Sequence, residues 1–277
     1  MTETCFYREE SIMSQKVTIK DVAREAGVSV ATVSYVVNNR TDMRISDKTR
    51  KKVLQVINLL NYTPNQSAKA LATNRNHMIA LYLSPDVSIL KNAEQLHFIH
   101  FLSKFLHERN YDLIYLSENY TEKFDHADAI ICYDISSDYF HKIGDCNFIP
   151  LVAVDCMIHD PLFFQINSDY KKIWEDASVF FHGESFRLAI LETQNQERKT
   201  YLSYIFSDIC YLHDFSDVAN LHGENLVVVD QTLQTLLEKE NHVYYAPAIS
   251  LAKMEALMQS IEYALQRIPI EQHDVLV

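Results

Sequence analysis

"VSVATVSYVVNNR", residues 28–40, holds five valines in thirteen positions. Valine favours strands on propensity alone, but these valines do not alternate as strand positions do. At the ~100° per residue of a helix, Val33, Val36 and Val37 share one side. Ala31, Ser34, Tyr35 and Asn38 fall on the other. The spacing predicts a helix with a buried valine stripe and an exposed polar face, with Val30 at the edge of that face. Ser29 stands where an N-cap is needed.

The flanks extend this reading. Upstream, Thr18-Ile19-Lys20-Asp21 fits a capping box. Ile19, Val22, Ala23 and Ala26 then recur at i, i+3, i+4 and i+7, and Gly27 can end that helix in a left-handed turn. Two helices joined so tightly must cross steeply, which is the helix-turn-helix pattern. Downstream, Ser46 caps a third helix whose Val53, Val56, Ile57 and Leu60 close a three-helix core. Lys48, Arg50, Lys51 and Lys52 load its first turns with positive charge. A helix start favours acids, so helix stability does not account for these cations; phosphate binding does. Next comes "YTPNQSAKALATNR", residues 62–75. Thr63-Pro64 is a start signal, and Ala68 and Leu71 share a face. A helix this short, well under ~12 residues, is expected to form only when something holds it.

Charge divides the chain in the same place. Residues 1–78 carry 12 Lys and Arg against 7 Asp and Glu; residues 79–277 carry 13 against 30. A small basic module therefore precedes a large acidic one, and only the first can hold a polyanion. Four glycines stand in 277 residues, against about nineteen at the average usage of ~7%, and no glycine-rich phosphate loop is present. The five cysteines (Cys5, Cys132, Cys146, Cys156, Cys210) are scattered and read as free thiols of a reducing compartment. No apolar run approaches the ~18 residues of a membrane span. Residues 1–15 are polar and acidic, unlike a signal peptide.

From Met78 the pattern changes. "MIALYL", "YDLIYLS", "ADAIICYD", "PLVAVD", "RLAILET", "ENLVVVD" and "HVYYAP" read as strands. "AEQLHFIHFLSKFLHERN", "SDYKKIWEDASVFF", "QTLQTLLEK" and residues 249–267 read as helices. Strands alternating with helices imply parallel sheets. His97, His100 and His107 share a helix but lack the Cys or Glu neighbours of a metal site, so no metal is expected. No Ser-His-Asp order or nucleophile elbow is present, and neither catalysis nor a cofactor is expected. Trp174, Tyr201 and Tyr204 are assigned to core packing ahead of a pocket wall.

Residues 17–76 resemble the N-terminal region of the LacI/GalR family of bacterial transcription repressors. The matching text is "VTIKDVAREAGVSVATVSYVVNN" followed by "ISDKTRKKVLQVINLLNYTPNQSAKALAT". The resemblance implies that Val30, Ala31 and Tyr35 face base edges in the major groove. It implies phosphate contacts for Thr18, Ser29, Thr32, Ser34 and Asn38, beside Lys48, Arg50 and Lys69. Leu71 would wedge into the minor groove and kink the DNA. The family's chains typically begin near Met13, so residues 1–15 are expected to be a disordered extension. The later residues resemble the family's two-lobed effector domain, similar to periplasmic sugar-binding proteins, in a reduced form. Only about ten residues separate "YDLIYLS" from "ADAIICYD", and the chain is expected to stop short of the usual terminal strand. Asp230 matches a strand–acid–helix position that contacts sugar hydroxyls in the family. Asp169 and Asp86 occupy similar junctions, and Arg198 loosely matches an effector-domain arginine. The competing assignment for such an Asp is a helix N-cap.

The expected fold is an all-α helix-turn-helix domain plus hinge helix, then a reduced α/β two-lobed periplasmic-binding-protein-like domain. The expected segments are 1–15 (extension), 16–62 (helix-turn-helix), 63–76 (hinge helix and linker) and 77–277 (effector binding and dimerisation). The expected function is a cytoplasmic, nucleoid-associated regulator, a homodimer repressing from a palindromic operator in double-stranded DNA. Control comes from a small-molecule effector, a sugar or related metabolite, or, alternatively, from a co-regulator protein or expression level.

Overall fold

The computed structural model describes residues 17–38, 40, 43–63, 75–84, 88–116 and 122–277. The chain divides between Thr73 and Asn74 into two compact units.

The first unit contains helices α1 (Ile19–Ala26), α2 (Val30–Val37) and α3 (Asp47–Leu59). The Asp21 carboxylate accepts from the Thr18 N–H at 3.0 Å and the Thr18 hydroxyl at 2.7 Å, fixing the start of α1. Gly27 closes α1 at φ 65°, a left-handed conformation that costs glycine little. Ser29 Oγ accepts from the Thr32 N–H at 3.1 Å, and Ser46 Oγ from the Thr49 N–H at 3.2 Å, capping α2 and α3. Val22, Ala26, Val33, Val36, Val53 and Val56 form the shared core, with Val28 and Val37 packed against it. The valine stripe of α2 is thus a core face. Val30 is the exception, 41% exposed.

The second unit has two lobes. The first is β1 (Met78–Leu83), α4 (Ile89–His107), β2 (Asp112–Leu116), β3 (Ala129–Tyr133), α5 (Ser137–Cys146), β4 (Leu151–Val154) and β5 (Phe164–Asn167). The second lobe is α6 (Tyr170–Phe180), β6 (Arg187–Leu191), α7 (Gln196–Ile205), β7 (Ile209–Leu212), α8 (Phe215–Ala219), β8 (Asn225–Val228), α9 (Gln231–Leu237) and β9 (His242–Tyr245). The chain then returns through α10 (Leu251–Gln266), which packs on the first sheet, to β10 (Asp274–Leu276) at that sheet's edge. The sheets run β10-β5-β4-β3-β1-β2 and β7-β6-β8-β9, every pair parallel. Parallel sheets are covered on both faces, so their strands are apolar throughout. In β1, Ile79, Leu81 and Leu83 enter one core and Ala80 and Tyr82 the core on the opposite face.

Two points differ from the sequence reading. A terminal strand is present: β10 pairs with Gln165–Asn167 of β5. Three residues are too few to show a period, so only the partner backbone defines this strand. The elements α5, β5, α7, β7 and α8 also emerge where sequence pattern was weak. Between β2 and β3, the described residues 122–128 hold neither helix nor strand.

Open parallel sheets bind ligands beyond strand carboxyl ends where strand order reverses. Here the reversals lie between β1 and β3 and between β6 and β8. Both point into the contact between the lobes.

Candidate functional site

Two surfaces carry the predicted residues. On the first unit, Val30 and Ala31 are exposed and Tyr35 half-buried, on the side of α2 away from Val33 and Val36. The Arg40 guanidinium lies 5.7 Å from the Tyr35 ring centre, a cation–π distance. Several predicted phosphate contacts also have local partners. Thr18 is held by Asp21, and Ser29 by Thr32, with the two hydroxyl oxygens 2.9 Å apart. Asn38 Nδ2 donates to the Ser34 carbonyl at 2.9 Å. These bonds fix the helix ends. Lys48, Lys51 and Lys52 are exposed along α3. Arg50 is half-buried and donates to the Arg40 carbonyl at 3.1 Å, tying α3 to the segment after α2. Lys69, Leu71, Asp86 and the segment 1–15 lie outside the described residues.

The second surface is the contact between the lobes. Asp169 is the N-cap of α6, its carboxylate accepting from the Lys172 N–H at 3.0 Å. Arg198 is buried. It donates to Asp134 at 3.2 Å, to the Asp155 carbonyl at 3.3 Å and to the Tyr170 hydroxyl. Asp230 sits at the N-cap position of α9 but makes no cap bond. It instead accepts from the Leu191 N–H at 2.9 Å. The structure therefore brings Arg198 and Asp230 to one contact and leaves Asp169 as a helix cap.

Sequence reasoning missed the partners there. Asp134, at the end of β3, pairs with Lys91 of α4 and Arg198 of α7, and accepts from the Thr193 hydroxyl. Burial would raise its carboxyl, but the two cations hold it below the usual carboxylate value. Asp155, at the end of β4, pairs with Lys253 of α10 at 2.6 Å; Lys253 also donates to Ser168 at 2.8 Å. Burial nonetheless pulls the Lys253 ammonium below its usual range. Glu94 of α4 reaches across to the second lobe. It accepts from the Gln231 N–H at 3.2 Å, the Thr232 N–H at 2.9 Å and the Thr232 hydroxyl at 2.7 Å. Burial, with Glu94 nearby, pushes Asp230 up to about 7. Asn195 adds a neutral clamp: Nδ2 donates to the Ile135 carbonyl at 3.0 Å and the Met157 carbonyl at 3.1 Å. A usable signal was present. Asp134 and Asp155 follow apolar strands as Asp230 does.

Trp174 and Tyr204 are exposed, at 41% and 83%, while Tyr201 packs against the second lobe's core. The core-packing assignment therefore describes Tyr201 alone of the three. Among the described residues, no group of His, Cys, Asp and Glu could hold a metal ion, and no helix is long and apolar enough to cross a membrane.

Comparison with known proteins adds the following. Residues 18–65 match the family model "Bacterial regulatory proteins, lacI family". The HTH-type transcriptional regulator DegA of Bacillus subtilis is 58% identical over 73 residues, 26% of this chain and 21% of that protein. The probable HTH-type transcriptional repressor ExuR of the same organism is 30% identical over 216 residues, 72% of this chain and 64% of that protein. The chain thus spans less than two thirds of the length of these relatives. The lac repressor dimer bound to operator and the anti-inducer ONPF superposes with a TM-score of 0.55 at 15% identity, covering 95% of this chain and 96% of that one. That likeness concerns the fold: helix-turn-helix first, parallel α/β lobes after. Residues 18–65 thus match the lacI family of bacterial regulatory proteins, and similarity to such a regulator continues beyond that domain.

Proposed function

We propose that this chain is a repressor that binds a palindromic operator as a homodimer, with α2 in the major groove. One observation carries the reading. The helix α2 buries Val33 and Val36 and leaves Val30, Ala31 and Tyr35 on the opposite side, and Lys48, Lys51 and Lys52 are exposed along α3. Val30, Ala31 and Tyr35 are assigned to base edges. Ser29, Thr32, Ser34 and Asn38 are assigned to positioning on phosphates through the helix ends they fix, with Thr18, Lys48 and Arg50 beside them. Leu71 and Lys69 keep their proposed minor-groove and phosphate roles. Two-fold symmetry of the protein calls for two-fold symmetry of the site. The supporting test is salt dependence. Binding should weaken steeply with salt, and Lys48→Ala should lower the slope of log affinity against log salt by about 1. A slope unchanged by Lys48→Ala removes that residue from the interface.

Control is assigned to the two-lobed unit. A sugar or related metabolite entering between the lobes has to displace partners that Arg198 and Asp230 already hold within the chain. That self-pairing favours the second reading, control without a small-molecule effector, by a co-regulator protein or by expression level. Thermal shift against sugars, nucleosides and phosphorylated sugars separates the two. Stabilisation by one compound with a changed operator affinity supports the effector; none across the set supports the second reading.

A further inference from the structure

The contact between the lobes buries seven side chains of the acidic and basic types, and their charges do not balance. The cations are Lys91, Arg198 and Lys253; the carboxylates are Glu94, Asp134, Asp155 and Asp230. Asp134 takes Lys91 and Arg198, and Asp155 takes Lys253. Glu94 is satisfied by two backbone N–H groups and a hydroxyl of the opposite lobe. Asp230 is the remainder. Among the described residues its carboxylate makes no ion pair and accepts a single hydrogen bond, from the Leu191 N–H.

The elements around Asp230 belong to both lobes. From α4 come Lys91 and Glu94, from β3 Tyr133, from α6 Tyr170, from α7 Arg198, from β9 Tyr245 and from α10 Lys253. The helix α4 itself bridges the lobes. Phe98, Leu102, Phe105 and Leu106 enter the first lobe's core, while Leu90 enters the core formed by Leu191, Leu226 and Leu233 of the second. Glu94 is on the bridging helix and is seated on Gln231 and Thr232, the residues next to Asp230.

We propose that the two lobes are clasped by this cluster, and that ionisation of Asp230 against Glu94 loosens the clasp, so that the two-lobed unit responds to pH with no ligand bound. Protonated, Asp230 leaves three cations facing three carboxylates and the contact neutral. Ionised, it sets a second buried carboxylate beside Glu94 across the boundary between the lobes, where low polarity strengthens repulsion. Lys91 and Arg198 favour its charge from nearby, but both are paired with Asp134, and the net effect of burial and Glu94 still raises Asp230. Opening the contact admits water and relieves the pair. Burial already holds Asp230 near 7, inside the range where a modest change in acidity changes its charge.

Hydrogen exchange on the full chain tests this without DNA, so its outcome is independent of the operator reading. The amides of Gln231 and Thr232 are read in a peptide spanning residues 230–237 at pH 6 and pH 8, corrected for the intrinsic pH dependence of exchange. Protection in the wild type should fall by about tenfold between the two, because opening releases the proton preference of a group near 7. Asp230→Asn should hold its protection constant across that range. Glu94→Gln, which removes the opposing charge, should also lose the tenfold fall, and it carries the test if Asp230→Asn does not fold. Equal protection of the wild type at both pH values overturns the proposal, as does an undiminished fall in both variants.

Discussion

Replacing Asp134 by alanine should destabilise the two-lobed unit by about 3–5 kcal/mol, because it strands two cations in a buried site. The carboxylate is 1% exposed, and its partners Lys91 and Arg198 are 10% and 5% exposed at the side chain, so solvent screens little of the loss. At an effective dielectric of ~20, unit charges at the 3.2 Å separating Arg198 from Asp134 attract by about 5 kcal/mol. In the wild type, desolvation of the three groups offsets most of that gain, so the network's net worth is small. The alanine variant keeps the desolvation and loses the attraction. Urea denaturation followed by tryptophan fluorescence reads this unit alone, since Trp174 in α6 is the single tryptophan of the chain. The triple change Lys91→Met, Asp134→Leu, Arg198→Met should return most of the stability, since apolar groups of similar size need no partner. The sign with pH is fixed as well. The Asp134 carboxyl is held below its unfolded value of ~3.9, so its contribution is present above that pH and lost as pH falls through the lower folded value. A loss under about 1 kcal/mol at pH 7, the scale of an exposed pair, would refute the reasoning.

Asp230 behaves in the opposite sense. Its folded value is raised to about 7 from an unfolded ~3.9, so the folded state holds the extra proton between these values and stability falls as pH rises through them. Between pH 6 and pH 8 the Trp174 transition should lose on the order of 1 kcal/mol, and a transition flat across that range contradicts the assignment. Gly27→Ala should cost the first unit about 1–2 kcal/mol, read by circular dichroism of residues 13–63 or of the full chain. Among the described residues the only heavy atom within 4 Å of the added methyl is Lys52 Nζ at 3.7 Å, so the cost is that of the left-handed backbone at φ 65°, and a neutral substitution would remove that account. Tyr35→Arg should move the base preference opposite it toward guanine, by ~1–3 kcal/mol of discrimination, because arginine can donate two bonds to guanine. An unchanged preference takes Tyr35 off the bases.

The helices of the first unit were legible because each signal there is local. The valines of α2 fall at helical spacing, Gly27 follows α1 directly, and Ser29 and Ser46 cap the helix that begins at the next residue. The core strands of the second unit were legible as continuous apolar runs. The interlobe cluster was not, because its logic is long-range: Lys91, Asp134 and Arg198 are separated by scores of residues and meet only when both sheets have formed. Lys91 lies in the first turn of the observed helix, ahead of the stretch from Ala93 that the sequence marks as helical, and a lysine there ordinarily faces water. Asp134 and Asp155 did carry the strand–acid signal noticed at Asp230, yet a strand-end aspartate is most simply a cap. Their pairing with buried cations needs the fold. Strand β10 was hidden for a different reason, being defined by the backbone of β5 and not by any pattern of its own.

The central claim is that α2 reads DNA for a two-fold symmetric dimer. Selection of bound duplexes from a random pool by the full chain tests it most directly. The account predicts enrichment of one site made of two inverted half-sites, with the enriched positions changed by substitution at Val30, Ala31 or Tyr35. Recovery of no shared sequence, or of a site indifferent to all three substitutions, would contradict it.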